Sequence, residues 1–119
     1  MFNYENIGIS WLGHDFFQIS GAGIMIYIDP YELKREDLPP ADIIITSHEH
    51  YDHCDVDAIE ILSSKNTVLV GPKICQDKLN NDVPIKKEVK ELNPYDEISI
   101  DEVKLSAIPA YNVHRFRSP

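Results

Sequence analysis

The stretch DIIITSHEHYDHCD, residues 42–55, sets an apolar run against a cluster of titratable groups. Three successive isoleucines, Ile43 to Ile45, are too few for a helix and typical of a strand covered on both faces. Ser47 to His53 then falls in the loop leaving the end of that strand, where α/β sheets habitually place their ligands. His48 and His50 stand two apart, so in an extended segment both imidazoles reach the same side and one ion. Asp52 and His53 follow at the turn into the next element, where the chain can aim a carboxylate and a third imidazole at an adjacent point. The spacing suits two neighbouring metals.

Imidazole and carboxylate favour Zn²⁺, with Mn²⁺ or Fe as alternatives, over soft thiophilic ions. One or two such ions with an open coordination position activate water at neutral pH, and the output of such a site is hydrolysis. The competing reading is a solvated polar loop. Three of the five histidines within six residues, directly after a buried strand, weigh against it. Glu49 is expected to point away from its flanking histidines. Tyr51 either donates to substrate or packs.

Upstream, Ile7 to Leu12, Phe16 to Ser20 and Ile24 to Ile28 read as strands, with Gly21-Ala22-Gly23 as a hairpin turn and Asp29-Pro30 as a stop. YELKREDLPPA is a surface connection with room for one helical turn. Downstream, Asp55 caps a helix through VDAIEILSS whose buried stripe is Val56, Ile59, Ile61 and Leu62. Thr67 to Val70 is a strand, and Pro72 opens a short helix through KICQDKL. Residues 86–91 form another strand. Ile98 and Ile100, then Val103 and Leu105, alternate about Asp101-Glu102 as a hairpin. Strand, helix, strand, helix with hairpins at both ends predicts an α/β or α+β domain, residues 1–119, on a mixed sheet with helices on one face.

Twenty acidic against eleven basic residues give a formal charge of -9, which argues against nucleic acid as partner. The start, MFNYENIGISWLGHD, carries neither a basic leader nor a long apolar run, and no stretch approaches a membrane span. A cytoplasmic protein without membrane contact, acting on a small-molecule substrate, is expected. Cys54 and Cys75 read as free thiols. Cys54 borders the histidine cluster and could ligate metal, but lacks the Cys-x-x-Cys partner of thiolate sites.

His48-Glu49-His50-Tyr51-Asp52-His53 matches the HxHxDH signature of the metallo-β-lactamase superfamily. Trp11-Leu12-Gly13-His14, Tyr27-Ile28-Asp29-Pro30 and Pro109-Ala110-Tyr111-Asn112 resemble its small Zn-dependent hydrolase-like branch. The resemblance implies that His48 and His50 bind a first metal and Asp52 and His53 a second, with Asp52 also counted as catalytic. It implies that Asp29 is a carboxylate at a strand end supporting a metal-binding histidine. It sets His14 near the site, beside substrate or behind the ligands; the alternative is local packing.

The resemblance also implies the first half of an αβ/βα sandwich. Relatives continue through a further histidine, a bridging aspartate and a last histidine, none of which follows residue 119. His114 is either a replacement ligand or a surface histidine beside Arg115 and Arg117. A half-sandwich leaves one sheet face bare, so a homo-oligomer, or a second chain completing the sandwich, is expected. Two functions stay open: a metal-dependent hydrolase using metal-activated water, and a non-catalytic metal-binding or assembly module. A third possibility is a fragment of a longer enzyme.

Overall fold

The computed structural model describes residues 2–4, 6–33, 37–47 and 54–108. Its main sheet has seven strands in sequential order: β1 Phe2–Tyr4, β2 Ile7–Trp11, β3 Phe17–Gly21, β4 Ile24–Ile28, β5 Ile43–Ile45, β6 Val68–Gly71 and β7 Glu88–Glu91. The first four form an antiparallel meander and the last four run parallel. Parallel neighbours need crossovers. Helix α1, Val56–Leu62, makes one, and a 3-10 turn, Lys73–Cys75, leading into α2, Gln76–Asp82, makes the next. Strands β8, Glu97–Ile100, and β9, Val103–Ser106, form a separate hairpin. The mixed α/β class is as expected.

The pairing register assigns each strand residue to a face. Tyr27, Ile44 and Leu69 are register partners on the outer face and are fully buried against Ile59 and Leu62 of α1 and Leu79 of α2. Burying Ile59 and Leu62 contributes about 1.5–3 kcal/mol each, which holds a seven-residue helix too short to persist alone. Tyr27 buries its ring and donates its hydroxyl to the Pro39 carbonyl at 2.6 Å, which pins the 37–40 connection to the sheet. Two helices therefore lie on one face.

The inner face carries Ile43, Val68 and Val70, and the β8–β9 hairpin covers them with Ile98, Ile100, Val103 and Leu105. The bare face expected of a half-sandwich is thus only partly bare. On β2–β4 the same face presents Ile7, Trp11, Phe17, Ile19, Ile24 and Ile26, with Trp11 67% exposed.

Four details differ from the sequence reading. Ile61 is 70% exposed, because the stripe facing the sheet runs through Ala58, Ile59 and Leu62, and Ile61 falls on the opposite side. Strand β1 was too short to leave a periodic signal. Pro72 precedes the 3-10 turn as its cap rather than opening an α-helix. The helical turn allowed in the 31–41 connection does not form at 31–33 or 37–40, while 34–36 lie outside the described residues.

Candidate functional site

The parallel strands β4, β5 and β6 end side by side, and what leaves those ends is tied together by hydrogen bonds. Asp29, one residue past β4, is buried and takes a left-handed φ of 48°, a conformation aspartate tolerates better than most residues. Its Oδ1 accepts the Ser47 backbone N–H at 2.7 Å and its Oδ2 accepts the Ser47 hydroxyl at 2.7 Å. Its own N–H donates to the Ile45 carbonyl at 2.8 Å. The two hydrogen bonds to one carboxylate fix where the chain stands as it enters the histidine segment.

The far end of that segment is also fixed. Asp55 Oδ1 accepts from the Ala58 N–H at 3.2 Å and so caps α1, as expected, while Oδ2 accepts from the Glu32 N–H at 3.1 Å. Glu32 again has positive φ, 45°. Residues 29–32 therefore hold both ends of the loop, Ser47 through Asp29 and Asp55 through Glu32. His48, His50, Asp52 and His53, with Glu49 and Tyr51, lie outside the described residues, as do His114 and the Pro109–Asn112 segment.

His14 follows Gly13 in the β2–β3 turn, with φ of 54° against 110° for the glycine. Its carbonyl accepts the Trp11 indole N–H at 2.7 Å, and its ring lies 5.0 Å from the Tyr31 ring. Tyr31 sits between Asp29 and Glu32, so His14 joins the segment that carries both anchors. A shallow cavity of about 190 Å³ is bounded by Gly13, His14, Tyr31 and Glu32.

Cys54 is 1% exposed and lies in the outer-face core with Cys75. A hydrogen bond with the Cys75 thiol, then burial, push the Cys54 thiol well above the usual range, so it stays neutral. Neither cysteine is in a disulfide, as read from sequence. Cys54 is a core residue.

Sequence reasoning missed Ser47 and Thr46. Thr46 is buried, with its N–H on the Val70 carbonyl at 2.8 Å, and Gly71 on β6 gives its side chain room. A hydroxyl residue between a buried strand and a ligand cluster was the available signal.

The chain matches the model of the β-lactamase superfamily domain over residues 8–118. It belongs to the β-lactamase superfamily. A protein named metal-dependent hydrolase from Methanopyrus kandleri is 28% identical over 110 residues, covering 87% of this chain and 46% of the relative. One of the same name from Thermoplasma acidophilum is 40% identical over 70 residues, covering 53% and 29%. A solved structure from Parabacteroides distasonis, described as a metal-dependent hydrolase, superposes with a TM-score of 0.77 at 30% identity, covering 90% of this chain and 47% of that one. The chain spans about half the length of these two longest matches. Among the described residues no helix is long and apolar enough to cross a membrane, and no group of three His, Cys, Asp or Glu side chains converges.

The donor chemistry of this β-lactamase superfamily chain fits a divalent metal through residues 48–53. Four candidate ligands stand there in six positions, and the segment is bracketed by two buried or half-buried aspartates that orient backbone. Supporting ligands from outside through hydrogen bonds is how metal sites gain rigidity.

Proposed function

We propose that this chain is a metal-dependent hydrolase in which His48, His50, Asp52 and His53 hold one or two zinc ions. The observation that carries the reading is the Asp29–Ser47 pair, which fixes the strand end one residue before His48. When bound, the cation supplies Lewis acidity toward water and toward a carbonyl or phosphoryl oxygen.

The protein's own contribution is positioning. Asp29 and Ser47 set the entry of the ligand segment, Asp55 sets its exit, and Cys54 anchors that exit in the core. Asp52 contributes the carboxylate of the ligand set and is proposed to act in catalysis. His14, beside Tyr31, is proposed to face the substrate side. The substrate is proposed to be a small molecule in preference to nucleic acid, in keeping with the charge of -9.

The test is hydrolysis of a phosphodiester, a thioester and a lactone, before and after chelation, in the wild type and in His50→Ala. Chelator-sensitive turnover that disappears in His50→Ala is expected. Stoichiometric metal with no chelator-sensitive turnover would identify a metal-binding module instead.

We propose also that the bare part of the inner face is covered by a second copy of the chain. Strands lie about 4.8 Å apart with a rise of about 3.3 Å per residue, so β2–β4 offer roughly 240 Å² in projection. Doubled for two copies, that is below the roughly 1,200–2,000 Å² of a stable interface, so the contact proposed is at most a weak, concentration-dependent one.

A further inference from the structure

Between the inner face and the β8–β9 hairpin lies a cleft of about 510 Å³, at the same end of the sheet as Ser47. That size falls within the range of small-molecule sites. Its floor is Ile28, Ile45 and Val70, the inner-face side chains at the ends of β4, β5 and β6, and its far wall is Leu92 and Leu105. Ser47 lies on its rim, so the cleft opens where the ligand segment begins.

Four polar side chains line it, and each is already engaged within the protein. Thr46 Oγ1 donates to the Val70 carbonyl at 3.3 Å, and the Ser47 hydroxyl donates to Asp29. Ser106 Oγ donates to Glu97 Oε2 at 3.2 Å, and Lys104 Nζ lies 3.8 Å from Glu97 Oε1. A charged guest would leave much of its hydration behind on the apolar floor, with only the exposed Lys104 on the hairpin side to offset the loss. An apolar guest meets Ile28, Ile45 and Val70 along the floor and Leu92 and Leu105 on the far wall. Leaving the cleft filled with water would expose the ends of three apolar strands.

We propose that this cleft seats the neutral, apolar acyl or alkyl part of the substrate, with the hydrolysable bond presented at the Ser47 rim. The substrate class is then a small ester, thioester or amide bearing an apolar chain. This rests on the hydrolase reading for its turnover, while occupancy of the cleft stands apart from it.

Two measurements on the full chain separate these. The first is kcat/KM for 4-nitrophenyl esters from acetyl to octanoyl with zinc present. Each methylene that enters the cleft is expected to raise it about fourfold, up to a plateau. In Leu105→Trp, with folding verified by its melting curve, the octanoyl-to-acetyl ratio is expected to fall toward one. The second is titration with 1-hexanol followed by methyl chemical shifts. Saturating shifts at Ile28, Ile45, Leu92 and Leu105, with Ile59 and Leu62 on the other side of the sheet unmoved, are expected. If no ester is turned over but hexanol shifts those methyls, the cleft stands and the hydrolase reading falls. If esters are cleaved without chain-length preference and hexanol leaves those methyls unmoved, the cleft proposal is overturned.

Discussion

Asp29 and Ser47, eighteen residues apart in sequence, are joined by two hydrogen bonds of 2.7 Å that take up both carboxylate oxygens. The bonds run from the end of β4 to the end of β5, and Ser47 is the last described residue before the ligand segment. Asp29→Ala leaves a half-buried N–H and hydroxyl without their acceptor and is expected to cost about 2–4 kcal/mol. Zinc affinity is expected to fall about 10–100-fold, as for other residues that support ligands indirectly. Denaturant melts and competitive zinc titration check the two effects. Ser47→Ala, which retains the backbone bond but removes the hydroxyl from the carboxylate, is expected to cost about 1.5–3 kcal/mol.

Gly71 is required by crowding. A methyl group there would collide with Thr46 Oγ1 and stand 3.3 Å from Leu79 Cδ1. Gly71→Ala is expected to destabilise the fold by about 1–3 kcal/mol, and pairing it with Thr46→Ala is expected to cost less than the sum. A double-mutant cycle in urea checks the coupling; strict additivity would mean that the contact is relieved elsewhere.

Cys54 and Cys75 are both buried and the Cys54 thiol is held neutral, although it adjoins the ligand segment. Alkylation by iodoacetamide near neutral pH is expected to track global unfolding, with both thiols protected in the native state. Rapid native-state labelling of Cys54, followed by mass spectrometry, would remove it from the core.

Much of this architecture was legible because it is local. Ile43–Ile45, the Asp55 cap and the alternation of Ile98, Ile100, Val103 and Leu105 each declare themselves within a few residues. Ile61 misled because a seven-residue helix has room for apolar residues on two sides, and only the packing of α1 on Leu69 and Tyr27 decides which is buried. The superfamily was legible in the spacing of His48, His50, Asp52 and His53. What could not be read were relations between distant strands: Ser47 on Asp29, Gly71 beside Thr46, and the hairpin folded over Ile43 and Val70. Each depends on the order of parallel strands, which periodicity does not encode. For the ligands themselves and for His114, the sequence reading stands as a proposal.

Trp11 is the single tryptophan, 67% exposed on the bare inner face. If a second copy covers that face, raising protein concentration from about 1 to 200 μM is expected to shift its emission to the blue, in step with sedimentation. Added salt is expected to strengthen the association by screening two chains of charge -9. Trp11→Glu is expected to sediment as a monomer throughout. A wild type that stays monomeric across this range would refute the dimer.

The proposed metal centre is tested most directly by ¹⁵N-histidine spectra of the full chain with and without zinc. Coordination is expected to move the ring nitrogens of His48, His50 and His53 together, saturating at one or two equivalents, while the His14 ring does not coordinate. Three imidazoles that titrate independently and ignore zinc would contradict the metal centre and leave only the fold.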